Sequence, residues 1–458
     1  MRVVLTNKTP CGTYRAPGRF EGTAAREHLL DVAATRLGLD PVELRRRNLL
    51  TAAEMPHQRP ITTLRTELIL DTGDYPALLA ATAKEADRLG YRTGPVGPVA
   101  PVDPGAPGAS PALSASGGRL RGFGLAMFVE KSGLGPQETA DVTVSKSGAV
   151  HVYSGGTSLG QGIETVLAQI AADALGVDPG VVHVTAGDTA AQPFGAGSWA
   201  SRSTVVGGSA VHQAATAVRE RALQLAARIL EVAESDLDLA AGTITVRGDP
   251  AARLTLASIA RAAEPAARYL RPGEPAGLTA RRRFEVARMT YPYGAHAALV
   301  EVDIGTGQVR VLRYLVAYEV GRAINPMLVE GQLRGGVAQG IGGALFEEFS
   351  YDDDGQPQAI TFIEYRMPTA AEIPPVDVLL SQDAPSPGNP LGVMGAGEGG
   401  VSAVGGAVAN AVRDALGLAG SVGQLPLTPA RVRELCQQRE GIPGRPKATS
   451  ARPTWSPR

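Results

Sequence analysis

Three glycine-rich stretches constrain this chain more than any other feature: GGTSLGQG at 155–162, GAGSWASRSTVVGGS at 195–209 and GAGEGG at 395–400. Each is followed by helical periodicity, in IETVLAQIAADALG, in the run that reaches about Val232, and in VSAVGGAVANAVRDAL. Glycine lets backbone approach a ligand closely, and a helix N-terminus offers free N–H groups with partial positive charge. The three loops could together surround a large anionic cofactor, and Ser198, Ser201, Ser203 and Thr204 of the middle one carry hydroxyls suited to phosphate oxygens. Any one loop alone is better explained as a turn or as tight helix packing.

The last loop formally satisfies GxGxxG through Gly395, Gly397 and Gly400. A dinucleotide fold needs a buried strand just before that motif, whereas SPGNPLGVM carries prolines a central strand would not accept. Glu398 is different in kind. A carboxylate in a glycine loop at a helix start can serve as general base for a substrate placed beside it, although most loop glutamates are merely solvated.

The rest of the composition excludes more than it selects. Forty-four Lys and Arg against 45 Asp and Glu give no electrostatic reason to expect nucleic acid or an anionic membrane as partner. Two cysteines, Cys11 and Cys436, cannot supply the four thiolates of an iron–sulfur cluster. The six histidines show no metal-site spacing. There is no apolar run long enough to span a bilayer, and MRVVLTNKTP has no hydrophobic signal core, so the expected compartment is the cytoplasm.

The pattern along the chain predicts an α+β fold in which hairpins alternate with helices. Residues 22–50 read as two helices, the first with Leu29, Leu30, Ala33 and Leu37 on one face, the second opened by a capping box at Asp40-Pro41-Val42-Glu43. Residues 93–118 are Pro/Gly/Ala/Ser-rich and read as a flexible linker. Hairpins are expected in DVTVSKSGAVHVYSG and over 296–320, and Asn325-Pro326 should start a glycine-laced helix. The basic, proline-rich tail 437–458 is expected to be disordered. The expected units are 1–92, the linker, 119–436 and the tail.

Several motifs in fixed order then carry a resemblance: TNKTPCGTYRAPGRFEG, DPVELRRRNLL, GGTSLGQGIETVLAQIAADALGV, GSWASRSTVVGGSAV, EVGRAINPMLVEGQLRGGVAQGIGGALFEE and PLGVMGAGEGGVSAVGGAVANAVRDALG. From about residue 5 to 435 the chain resembles the C-terminal portion of the molybdenum-cofactor subunit of xanthine dehydrogenase/aldehyde oxidase-type hydroxylases. On that resemblance, 1–92 would end a first cofactor-binding domain and 119–436 would form the second. Gly160, Gln161 and Gly162, Ser201 and Ser203, Gln339 and Gly397 match cofactor-binding positions. Arg15 matches the loop bordering the substrate pocket, and Glu398 matches the base.

The resemblance implies a molybdenum–molybdopterin cofactor, in bacterial members commonly the cytosine dinucleotide, with the metal held by the pterin dithiolene and not by side chains. It implies hydroxylation of an aldehyde or N-heteroaromatic substrate with water as the oxygen source. Electrons would leave through partner subunits carrying a 2Fe-2S cluster and FAD. Ala16 after Tyr14-Arg15 departs from the cysteine of carbon monoxide-oxidising members, and Met394 stands where a lysine is common. Met1 falls in the middle of the family's large subunit, so another chain could supply the missing half. A truncated or structural subunit of such a complex, and an NAD-linked dehydrogenase, remain as alternatives.

Overall fold

Alternating apolar residues place two four-stranded sheets where the hairpins were expected. The structure, a computed structural model, describes residues 6, 8, 12–63, 66–92, 118–135, 137–265 and 268–439. The first sheet contains β2 (Gln137–Val144), β3 (Val150–Ser154), β4 (Val182–Ala186) and β5 (Leu278–Glu285), in the order β5-β2-β3-β4, and only the β3–β4 pair is parallel. The second contains β1 (Arg119–Val129), β6 (Tyr293–Asp303), β7 (Val309–Glu319) and β8 (Val376–Ser381), in the order β8-β7-β6-β1, and only β7–β8 is parallel.

Each sheet packs a helical layer. In β2 the inward positions are Glu138, Ala140, Val142 and Val144, and the aliphatic three join the core formed with α3 (Ile163–Leu175) and α4 (Ser209–Leu230). Strand β6 is buried along nearly its whole length. Its sheet packs on α5 (Pro326–Leu345) and, beyond the four-residue helix α6 (Gly399–Ser402), on α7 (Val404–Leu416). Asn325 caps α5 by accepting from the Leu328 N–H at 3.1 Å, with Pro326 at the first helical position.

Glycine here also serves close packing. A Cβ at Gly124 would overlap the Ala407 carbonyl, and one at Gly122 the Ala411 carbonyl, because α7 lies directly on the backbone of β1. We expect Gly124→Ala to push strand and helix apart and lower urea-unfolding stability by about 3 kcal/mol, the upper end of typical overpacking costs. Gly331→Ala, on an exposed turn of α5 where a Cβ meets nothing within 4 Å, should cause no loss in the same measurement. Equal midpoints for the two variants would sink this account of the glycines.

The N-terminal helix corrects one expectation. Helix α1 (Arg19–Leu37) ends at Gly38 in the left-handed conformation as expected, but Leu29 and Leu37 are 66% and 64% exposed. Its buried face carries Glu27, His28 and Asp31 instead. Arg45 of α2 (Pro41–Arg46) reaches Glu27 at 2.8 Å and Asp31 at 2.7 Å, and His28 Nδ1 lies 2.8 Å from Asn410 Oδ1. Buried charges are tolerated when paired, and the pairing partners lie outside the helix's own periodicity. Asp40 caps α2 as expected, accepting from Val42 and Glu43, while the Glu43 side chain turns to Arg46 and Arg47 and closes no capping box.

The expected linker lies outside the described residues except for Gly118. In the tail, 437–439 continue a helix, Pro429–Arg439, and the remainder lies outside the described residues. Among the described residues no helix is long and apolar enough to cross a membrane.

Candidate active site

Glu398 occupies the N-cap position of α6, and its neighbours explain the glycines around it. A Cβ at Gly397 would lie 2.9 Å from Ser201 Oγ, and one at Gly399 would overlap the Tyr318 ring, so the chain threads between these two residues. The carboxylate is 5% exposed. Its Oε1 accepts from the Ala16 N–H at 2.9 Å and from Arg19 Nη2 at 2.7 Å, and its Oε2 accepts from Ser201 Oγ at 2.8 Å. Donors from residues 16–19 and 201 thus fix an acid at 398.

That clamp is built on strained backbone. Ala16, Ala200 and Ser201 adopt φ of 52°, 48° and 50°, a left-handed region costly to residues with a Cβ. Such outliers persist where surrounding structure over-determines them, and two of the three, Ala16 and Ser201, donate directly to one carboxylate. A π-helical segment, Ser203–Gly208, follows directly and runs into α4.

All three glycine loops meet at one solvent-open cleft lined by Gln161, Ser201, Ser203, Asn325, Gln332 and Gly395–Gly397 among others. Glu398 stands one residue beyond that lining and joins it through Ser201. Gln161 Nε2 donates to Thr157 O at 3.1 Å and Ser198 Oγ at 3.3 Å, which ties the first loop to the second. Ser203 Oγ donates to Ser198 Oγ at 2.9 Å. Gly162, at φ 79°, is the N-cap of α3, while Gly160, at φ 89°, faces open space.

Arg15 and Gln339 sit apart from that lining. Arg15 Nε donates to Gly397 O, and its Nη2 donates to Gln332 O and Oε1 at 3.2 and 3.1 Å. Its Nη1 lies 3.4 Å from Gln339 Oε1. Burial pulls the Arg15 guanidinium below its ordinary value, with Tyr14 and Glu398 opposing. Both residues line a second, solvent-open cavity with Tyr14, Phe20, Glu347 and Val401. Arg15 therefore forms the wall between the two cavities, and Gln339 faces the second.

Arg19, Glu130, Gln332 and Ser402 were not found from sequence. Arg19 Nε pairs with Glu130 at 2.7 Å while its Nη2 holds Glu398, and Ser402 Oγ donates to Glu130 Oε2 at 3.0 Å. Burial pushes Glu130 up to about 7, with Arg19 opposing and Glu398 adding. The signals existed: Arg19 stands four residues after Arg15 in the first motif, and Glu130 is a lone acid ending the apolar strand GFGLAMFV.

The strand that an NAD-binding reading requires before Gly395 is absent from these described residues, where only an isolated bridge joins Val393 to Gly321. A family profile described as a molybdopterin cofactor-binding domain matches residues 108–374, and a second so described matches 1–49. The chain belongs to the molybdopterin cofactor-binding family.

Its relatives include the 6-hydroxypseudooxynicotine dehydrogenase complex subunit gamma of Paenarthrobacter nicotinovorans, 42% identical over 95% of this chain and 53% of that one. The nicotine 6-hydroxylase large subunit of the same organism is 34% identical over 93% and 51%. Among solved structures, quinoline 2-oxidoreductase from Pseudomonas putida 86 superposes with a TM-score of 0.81 at 35% identity, over 95% of this chain and 54% of that one. The chain spans about half the length of the curated relatives it matches. The molybdenum-hydroxylase large-subunit fold is the α+β architecture described above.

Proposed function

We propose that this chain forms the catalytic-base half of a molybdenum hydroxylase large subunit, oxidising an N-heteroaromatic or aldehyde substrate with water as oxygen source. The observation that carries this reading is the convergence of all three glycine loops on one cleft, with the clamped carboxylate of Glu398 just behind its wall. The relatives named for nicotine and quinoline favour the N-heteroaromatic class.

The residues present fit a pterin cofactor. Hydroxyls of Ser201 and Ser203, amides of Gln161, Asn325 and Gln332 and the guanidinium of Arg322 line the cleft, a donor set suited to ring heteroatoms and phosphates. Gly395 leaves no room even for a Cβ, since one there would overlap Ser201 and Ser132, so bare backbone is presented at that point. Gln161, Ser201, Ser203 and Gly397 would hold the cofactor, with Gly160 and Gly162 shaping the loop that carries Gln161. Gln339 would act through Arg15. When bound, the cofactor supplies the oxygen-transfer and two-electron chemistry that no side chain offers.

This chain's own part is then positional and basic. Arg19, Ala16 and Ser201 aim Glu398, whose Oε2 faces the cleft side through Ser201 and accepts the proton of the oxygen nucleophile. Arg15, held by Gly397 and Gln332, borders the substrate side. The cytosine dinucleotide form of the cofactor, partner subunits bearing 2Fe-2S and FAD, and a cytoplasmic location belong to the same reading. Purification of the native complex from a molybdate-replete host should give stoichiometric molybdenum and CMP released on acid hydrolysis. A correctly assembled complex without molybdenum would exclude it and favour a structural subunit.

A further inference from the structure

Glu130 is the buried acid that the proposed reaction leaves without a task. It is 1% exposed at the end of β1, and its carboxylate contacts Arg19 at 2.7 Å, Ser402 Oγ at 3.0 Å and the Lys131 N–H at 2.9 Å. Arg19 is shared: Nε of the guanidinium pairs with Glu130 and Nη2 with Glu398. Ser402 ties the two acids a second time, because its hydroxyl also lies 3.1 Å from the Glu398 carbonyl. The charged and titratable groups facing this cluster are Arg15 beside Glu398, Arg19 from α1, Lys131 after β1, Tyr318 from β7 and Glu398 from the N-cap of α6.

We propose that Glu130 is a positioning residue that divides the charge of Arg19, so that Arg19 orients Glu398 without locking it into a one-to-one ion pair. This rests on the assignment of Glu398 as base. The physical reason is simple. A lone buried guanidinium beside a carboxylate holds that carboxylate ionised and makes it a poor proton acceptor. A second carboxylate on a neighbouring nitrogen of the same guanidinium offsets the positive charge and returns basicity to the first, while the two hydrogen bonds of Arg19 keep the geometry.

The arrangement carries a pH dependence with a definite sign. Burial raises Glu130, to about 7, so it is uncharged below that pH and charged above it. Only the charged form offsets Arg19. Turnover should therefore rise as pH increases through about 7, in step with ionisation of Glu130.

Two measurements test this. In the assembled complex, Glu130→Gln keeps acceptor and size, so molybdenum content and KM should stay within about twofold while kcat falls about tenfold and the rise through neutral pH disappears. Glu130→Asp, which restores the charge, should recover part of both. Independently of activity, carboxyl ¹³C NMR or infrared titration of this chain should show an acid titrating near neutrality that is absent in Glu130→Gln and moves to lower pH in Glu398→Gln. An unchanged pH profile in Glu130→Gln, or a neutral titration indifferent to Glu398→Gln, overturns the proposal. If Glu130→Gln does not fold, the titration in wild type and Glu398→Gln decides alone. A complex without hydroxylase activity would sink the base assignment, while the titration would still report whether the two acids share Arg19.

Discussion

Glu398→Gln should leave a complex that assembles, carries its cofactor and scarcely turns over. The three contacts of the carboxylate explain why the structure survives. The amide oxygen can still accept from Ala16 N–H and Arg19, and the amide nitrogen can donate to Ser201 Oγ, which serves as donor or acceptor. What is lost is the ability to take a proton. Removing a general base costs ~10²–10⁴ in rate, and a loss at or beyond the upper end is expected here because burial keeps water from substituting. Steady-state turnover alongside molybdenum content separates this from a loading defect. Turnover within tenfold of wild type at full occupancy would remove Glu398 from the base role.

Why Glu398 could be named from sequence while Arg19 and Glu130 could not follows from the geometry. The acid is marked locally, by glycines on both sides that admit Ser201 and Tyr318. Its clamp is not marked as a clamp: Ser201 stands out only as a loop hydroxyl, Arg19 and Ala16 lie about 380 residues away along the chain, and the contacts exist only after α1 packs on α7. The hairpins were legible because alternation is a property of adjacent residues, as in the inward set Ala140, Val142 and Val144. Helix α1 was legible in length and C-cap but not in face. Leu29 and Leu37 look like core by period, yet the buried face sets Glu27, His28 and Asp31 among Ala24, Val32 and Ala34, each of the three polar groups answered by a residue on another element. Apolar periodicity assumes that burial selects oil, and it fails where burial selects paired charge.

The second large effect should come from Arg202, which fixes the hydroxyl loop to the first sheet. Its side chain is 1% exposed and serves four acceptors: Glu138 Oε2 at 2.7 Å, and the carbonyls of Leu134, Gln137 and Gly197 at 2.9, 2.6 and 3.1 Å. Glu138, also 1% exposed, is the single inward charge of β2. Arg202→Met would strand that carboxylate, and losing one partner of a buried pair costs about 3–5 kcal/mol. The adjoining Ser201 and Ser203 would lose their anchor at the same time, so cofactor occupancy should fall with stability. Arg202→Lys should recover little, since one ammonium cannot reproduce a planar fork reaching four oxygens. The double variant Arg202→Met/Glu138→Leu separates the two consequences. With no charge left buried, most of the unfolding free energy should return. The loop would still lack the guanidinium that spans Gly197 and Leu134, so molybdenum content should stay low. If occupancy recovered together with stability, Arg202 would serve the core alone, and the hydroxyls of Ser201 and Ser203 would be placed by the strained backbone of the loop itself.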